Sequence, residues 1–453
     1  MAAATPLWAV VPNASGTGIG SPFSRGLLPL DGSDVRTAEA WTLIHSRSTG
    51  AECRVGPGVF LVIARRELAL LCTAGAMAAT GYTMIGLLTP LVALRFGAGP
   101  AVVGALVSAG FLLPLLMAVP AGTLADRWGA RRVARTGFLT FGLAALPMVV
   151  WPSWTTLIFG FVLANLAHLV YVVGSQALVA ELGEPGPARE SAYGWWTTSV
   201  AVGQAVGPLA GGFALDLFGA RAGFAAMAVA MGLAFGLTLP MRVSGQLPSA
   251  PARFEWTTAR RLLGDRAVGL AMLTSSAAMW ASTVLYTFLP VHLELLAVPA
   301  ASIGALLSVR AVVAVVVRPW MPRMVAALGG RERTVVLTLL AMSFGLVGVA
   351  FGGAWWWLAG CMVAFGAGFG LSQPVSMVMV ADRVAARERG VALGVRLTGN
   401  RSAQLLSPVA LAVVAERLGM PPFFVLHALL VLGAALFLAS LTRRGPRIGD
   451  AEL

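Results

Sequence analysis

Residues 189–208 read RESAYGWWTTSVAVGQAVGP, and residues 389–408 read RGVALGVRLTGNRSAQLLSP. At a displacement of 200 residues they share Arg189/Arg389, Ala192/Ala392, Gly194/Gly394, Thr198/Thr398, Gln204/Gln404 and Pro208/Pro408. The same displacement relates Thr83 and Pro90 to Thr283 and Pro290, and Gly104, Ala105, Leu106 and Ser108 to Gly304, Ala305, Leu306 and Ser308. It also relates Gly129 and Arg131 to Gly329 and Arg331, and Gly219 and Phe224 to Gly419 and Phe424. Apolar coincidences are common in greasy sequences, but polar and proline matches at one fixed lag are the mark of a repeat. The chain is a tandem duplication.

What is duplicated belongs in lipid. Of 453 residues, 58% are apolar and only 11% charged, whereas soluble domains carry about 25% charged residues. Apolar runs near the roughly 20 residues needed to cross a bilayer recur at 67–90, 100–121, 133–151, 155–180, 191–214, 221–240, 267–290, 301–321, 334–352, 356–381, 390–414 and 421–441. The expected fold is thus an all-α integral membrane protein of twelve transmembrane helices in two six-helix, pseudo-symmetric halves. Its expected parts are a disordered extension (1–64), a first bundle (65–241), a linker (242–266), a second bundle (267–442) and a tail (443–453).

All 32 basic residues are arginine, giving a net charge of +13. In so apolar a chain that excess marks membrane orientation rather than nucleic-acid binding. Arg127, Arg131, Arg132 and Arg135, the 242–266 cluster, Arg323, Arg331 and Arg333, Arg383, Arg387 and Arg389, and the tail arginines all fall in alternate loops. The intervening loops hold mainly Arg95, Arg221 and Arg417. The expectation is a multi-pass protein of the cell membrane with both termini cytoplasmic. Cys53, Cys72 and Cys361 form no CxxC pair, which excludes a disulfide framework or a cysteine-rich metal site. No nucleophile motif or paired carboxylate set is present, so neither an enzyme nor a cofactor or metal is expected.

Parallel repeats of this kind enclose a cavity near mid-membrane, and rocking one half against the other exposes it to each side in turn. Two motifs add to that reading. Gly122-Thr-Leu-Ala-Asp126-Arg127-Trp-Gly129-Ala-Arg131-Arg132 follows the second span, and Gly203-x-x-x-Gly207-Pro208-x-x-Gly211-Gly212 lies in the fifth. The first resembles the loop signature of the major facilitator superfamily; the second resembles that superfamily's antiporter signature. The resemblance covers about residues 65–445. It implies a secondary transporter working by alternating access, with a small organic substrate or drug, efflux, and the proton as coupling ion. It also implies gating roles for Gly122, Asp126, Arg127, Gly129 and Arg131, with Glu181 and Asp382 as candidate ionic partners. In the family the fifth and eighth helices meet across the halves, so Gly203, Gly207, Pro208, Gly211 and Gly212 would form a sliding contact. The sequence departs from many proton-coupled exporters in having no acid in its first span, only Thr80, Tyr82, Thr83 and Thr89. The arginine signature that many members carry in the fourth span is missing as well.

The polar residues inside the spans nominate the binding site. Arg401 and Arg310 sit near mid-span with no acid at that depth, and each costs about 2.5–3.5 kcal/mol to insert there. They must line water, bond carbonyls, or meet an anion from outside the chain. Arg401 stands among Thr398, Asn400, Ser402 and Gln404, with Gln204 as repeat mate of Gln404. Arg396 is expected to snorkel to the cytoplasmic face. In the fourth span Asn165 and His168 share a face, and His168 reads as a neutral, hydrogen-bonded core residue first and as a proton carrier second. Trp280, Tyr286 and Gln373 complete the candidate lining. Three functions stay open: proton-coupled efflux, uptake or exchange of an organic anion held by Arg401 and Arg310, and a non-transporting receptor. The expected partners are the lipid bilayer, a small molecule and the proton, with no nucleic acid, and the chain is expected to act as a monomer.

Overall fold

A backbone surrounded by lipid must close its hydrogen bonds within each crossing segment, and helices do this. The computed structural model describes residues 57–182, 187–241, 256–384 and 389–443, and among them every regular element is helical. The helices are α1 (Pro57–Arg95), α2 (Pro100–Trp128), α3 (Ala130–Val150), α4 (Trp154–Leu182), α5 (Pro187–Thr238), α6 (Trp256–Leu263) and α7 (Arg266–Leu295). The second half continues with α8 (Ala300–Val316), α9 (Met321–Ala327), α10 (Arg331–Phe351), α11 (Trp355–Arg383), α12 (Arg389–Leu406), α13 (Ala412–Leu418) and α14 (Met420–Arg443). Most of the expected extension, linker and tail lies outside the described residues.

Ten of the described helices are long and apolar enough to cross a membrane, two fewer than the sequence suggests, for two physical reasons. The fifth and sixth spans run on as α5, whose apolar stretch has 48 residues. At 1.5 Å per residue that is about 72 Å, far longer than one crossing. The helix folds back at Gly219, whose φ of 81° only glycine adopts freely. The eleventh span is α12, and its arginines pull it below the apolarity of the others. It also stops at Leu406 rather than running to 414. Pro408 withdraws an N–H from the helical ladder, and Leu411 takes a left-handed φ of 57° before α13 begins.

The duplication is visible in the backbone. Left-handed residues pair at the same 200-residue displacement: Gly97 with Ala297, Gly129 with Gly329, and Gly219 with Gly419. Packing repeats too. A Cβ at Gly304 in α8 would collide with the Pro208 carbonyl in α5, and a Cβ at Gly104 in α2 would collide with the Pro408 carbonyl. Beside these contacts, each half caps a helix of the other. The Asp216 carboxylate accepts from the N–H groups of Ala300 (3.1 Å) and Ala301 (2.7 Å) at the start of α8. Glu416, its repeat mate, accepts from Ala101 N–H (3.2 Å) at the start of α2. Unpaired N–H groups and the helix dipole both favour a carboxylate there. Arg95 Nε donates to Glu294 Oε1 at 3.2 Å between the same two halves.

All of these links lie on the arginine-poor side of the molecule. Exposed Trp151, Trp355, Trp356 and Trp357 ring the same side, as expected for an interfacial belt. On the arginine-rich side, described polar contacts stay within a half. Arg131 donates to the Met241 carbonyl at 2.7 Å and Arg135 to that of Thr238, while Arg331 pairs with Asp382 at 2.7 Å. The structure is therefore clasped at one face. Removing a cap of this kind costs about 1 kcal/mol, a roughly five-fold shift in a two-state equilibrium. With Thr283→Cys in an otherwise cysteine-free chain, Asp216→Ala is expected to raise labelling by an impermeant thiol reagent from the arginine-poor side about five-fold. Glu416→Ala, which loses one hydrogen bond rather than two, should have the smaller effect.

Candidate functional site

Between the halves lies a cavity of about 170 Å³. Tyr82, Thr83 and Gly86 of α1, Phe111 of α2, Phe161 and Asn165 of α4 and Gln204 of α5 line it from the first half. Met279, Ser282, Thr283 and Tyr286 of α7, Arg310 of α8, Phe369 of α11 and Gln404 of α12 line it from the second. Four positions occur as repeat mates: 82 with 282, 83 with 283, 86 with 286, and 204 with 404. The two copies thus turn the same faces of α1/α7 and α5/α12 to one space. The wall is largely aromatic and hydroxylic, and among the described residues no acidic side chain lines it.

Of the residues nominated by sequence, Asn165, Gln204, Tyr286, Arg310 and Gln404 reach this lining. His168 stands one layer behind it. Its ring stacks on Tyr82 with centroids 3.5 Å apart, and its Nδ1 lies 2.9 Å from the Tyr171 hydroxyl. Arg401 comes to the same place from the other half. Its Nη1 donates to Gln404 Oε1 at 3.0 Å, and its charge acts on both Tyr82 and His168. Tyr82, His168 and Arg401 form a cross-half cluster, with Tyr82 and Gln404 as its contacts to the cavity.

Asn400 and Gln373 serve a different purpose. Ser275 Oγ donates to Asn400 Oδ1 at 2.6 Å, and Gln373 Oε1 accepts from Arg396 Nη2 at 2.6 Å. Arg396 also reaches the Gln373 carbonyl (3.1 Å) and Ser376 Oγ (2.9 Å from Nη2). It is 3% exposed, so the expected snorkelling does not occur. Neutral oxygens from α11 hold the guanidinium inside the second half instead. Trp280 points away from the cavity lining, its Nε1 donating to His427 Nδ1 at 3.0 Å. His427 on α14 is fully buried, a second internal histidine that sequence reading passed over.

Sequence reading also missed Tyr82, Phe111, Phe161 and Phe369 as lining residues. The repeat carries a signal for the first: Tyr82 is the mate of Ser282, one residue before the matched pair Thr83/Thr283. Isolated phenylalanines in apolar helices carry no such signal. The loop motif is only partly within view. Gly129 takes a φ of 83° and Arg127 is exposed, while the side-chain placements of Gly122 and Asp126 lie outside the described residues. Glu181 lies at the end of α4, and Asp382 pairs with Arg331 rather than with the motif arginines. The fifth-span glycines divide between two neighbours. A Cβ at Gly203 or Gly207 would strike α1 at Ala76 or Thr80 and Thr83, and Gly211 faces Met84 of α1. Gly212 and the Pro208 carbonyl meet α8 at Ala300 and Gly304.

Comparison with known proteins agrees with this architecture. The sequence profile of the Major Facilitator Superfamily matches residues 71–329 and again 271–452. The methylenomycin A resistance protein of Bacillus subtilis (strain 168) is 27% identical over 167 residues, 36% of this chain and 35% of that protein. An uncharacterised MFS-type transporter of Mycobacterium tuberculosis is 28% identical over 174 residues, 38% of this chain and 30% of that one. The chain thus spans about a third of the length of the curated relatives it matches. Among solved structures, a POT family transporter in complex with a thioalcohol-conjugated peptide superposes with a TM-score of 0.72 at 12% identity, covering 84% of this chain and 96% of that one. A bacterial homologue of the human lysosomal transporter Spinster, inward-facing and occupied, gives a TM-score of 0.68 at 15% identity over 83% and 96% of the two chains. At such identities the likeness is one of fold.

The contrast among the arginines gives a test. Arg396→Leu strands the Gln373 and Ser376 oxygens, and unmet buried polar groups cost about 1–3 kcal/mol each. The expected result is a lowered thermal unfolding midpoint in detergent, which the conservative Arg396→Lys partly restores.

Proposed function

We infer that this chain, which belongs to the Major Facilitator Superfamily, is a secondary transporter that exports a small organic molecule by alternating access in exchange for protons. The observation that carries the reading is the cavity shared by repeat-mate positions of both halves. Related halves that present the same positions to one space can exchange its opening between two faces by rocking. The excess of arginine on one face supports placing that face, both termini and the 242–266 linker in the cytoplasm. The clasp formed by Asp216, Glu416 and the Arg95–Glu294 pair then closes the outer side, and the pose is inward-facing.

Efflux is supported by the fifth-span glycine signature and by a relative named for antibiotic resistance. In this reading Gly122, Asp126, Arg127, Gly129 and Arg131 form the inner gate. Pro208 and Gly212, which touch α8, form the sliding contact, while Gly203, Gly207 and Gly211 bind α5 to α1. His168 is the candidate proton carrier. Among the described residues it is the imidazole whose stacked partner, Tyr82, lines the cavity, and Arg401 couples it to the opposite half.

Inverted vesicles containing the chain are expected to accumulate an exported compound, methylenomycin A being the first to try, when an acid interior is imposed. A protonophore should abolish the accumulation, and His168→Ala should leave binding intact while uncoupling flux from the gradient. Accumulation insensitive to the protonophore would remove the proton, and saturable binding without turnover would identify a receptor.

A further inference from the structure

Three arginines lie inside the second half, Arg310 and Arg396 buried and Arg401 half-buried, and two of them have settled partners. Arg396 is held by Gln373 and Ser376, and Arg401 by Gln404. Arg310 differs. It is 4% exposed, and its one described hydrogen bond is from Nη2 to the Tyr286 hydroxyl at 2.9 Å. Its Nε and Nη1 are buried without an acceptor. The guanidinium carbon lies 4.4 Å from the Tyr286 ring centroid and 5.1 Å from that of Phe369, so aromatic faces cover a charge that no described carboxylate answers. Further along the same helical path, toward the arginine-rich face, Arg318 also buries an Nε without an acceptor. The two charges are close enough to act on one another.

An unpaired, desolvated cation is the arrangement a protein avoids unless a counter-charge arrives from outside. A guanidinium is built for a planar carboxylate, which it grips through two parallel N–H groups; an ammonium cannot do so. The cavity sets the size. At about 170 Å³ it compares with a dry cavity of roughly 150 Å³ that accepts benzene. One ring and one compact anionic group fill it. Phe111, Phe161, Tyr286 and Phe369 supply the flat apolar walls.

We propose that the cavity binds a single-ring aromatic carboxylate, its carboxylate on Arg310 and its ring among those aromatic side chains, reached from the arginine-rich face past Arg318. The inference rests on the reading of this cavity as the substrate site and names its substrate class. Seating the ligand turns the free Nε and Nη1 from the cover of Tyr286 and Phe369 toward the cavity. Arg401, the other mid-membrane arginine, belongs to the cluster with Tyr82 and His168 and is not the anchor.

The test uses the purified full-length chain in lipid nanodiscs, titrated calorimetrically with benzoate, salicylate and phenylacetate and with the matching carboxamides. At least one acid should bind saturably, and its amide about ten-fold or more weakly. Arg310→Gln should lose that affinity at least about ten-fold, Arg310→Lys should keep part of it, and Arg318→Gln should slow association several-fold. Arg310→Met should raise the unfolding temperature of the empty protein, since it removes an unanswered charge; this separates loss of binding from loss of fold. Equal binding of acid and amide, unchanged affinity in Arg310→Gln, chloride competing as well as the aromatic acids, or no acid in the series binding would each overturn the proposal. Arg310-dependent binding without flux in vesicles would leave the proposal standing and sink the transport reading. Export of an uncharged compound unaffected by Arg310→Gln would do the reverse.

Discussion

Lipid tails are as apolar as leucine, so nothing comparable to the hydrophobic effect in water presses one membrane helix against another. Close backbone approach and polar contacts must join the halves. Here the approach is made twice, by Gly304 on the Pro208 carbonyl and by Gly104 on the Pro408 carbonyl. Both places admit no side chain. Both sit beside a carboxylate cap, Asp216 on the start of α8 and Glu416 on the start of α2. Because the contacts are related by the repeat, they define an axis, and the cavity lies along it between the same faces of the two copies. Everything functional follows from that geometry. The clasp closes one face, and the space beneath it belongs to neither half alone.

The internal charges are settled by different means, and the differences carry the chemistry. Arg396 is surrounded by neutral oxygens of α11 and contributes to the rigidity of its own half. Arg401 reaches across, placing a cation beside Tyr82 and His168, so any change in the spacing of the halves changes the field at that histidine. Arg310 faces aromatic rings and leaves two nitrogens unanswered. Three arginines of a single bundle thus meet three different surroundings: neutral oxygens, a neighbouring glutamine beside the other half, and aromatic faces. Their side chains are chemically identical, and only their surroundings tell them apart.

Much of the fold was legible in the sequence because the information there is periodic. The 200-residue displacement picks out Gly219 and Gly419, both of which take left-handed φ, and the paired Thr83/Thr283 and Gln204/Gln404 that meet at the cavity. Apolar length predicts the spans. It fails where a single residue overrides the pattern, as Pro408 and Leu411 break the eleventh span, while the division of the fifth from the sixth span falls at Gly219, where the helical path folds back. The site was legible in part. Asn165, Gln204, Tyr286, Arg310 and Gln404 betray themselves as polar groups in apolar helices. Arg396 was misread because its acceptors, Gln373 and Ser376, lie on another helix, and position along a span says nothing of what a neighbouring helix offers. Trp280 was misplaced for the same reason, its partner His427 being 147 residues away.

The central claim is that the halves are joined by reversible links at one face and exchange the opening of their shared cavity. Pulsed electron–electron distance measurements on the chain in nanodiscs address it directly. One spin-label pair would join the arginine-poor ends of α1 and α7, and another the arginine-rich ends of α4 and α11. The account predicts two distance populations for each pair, shifting in opposite directions when Asp216 and Glu416 are neutralised together. A single unmoving distance at both faces, with the caps intact or removed, would contradict it.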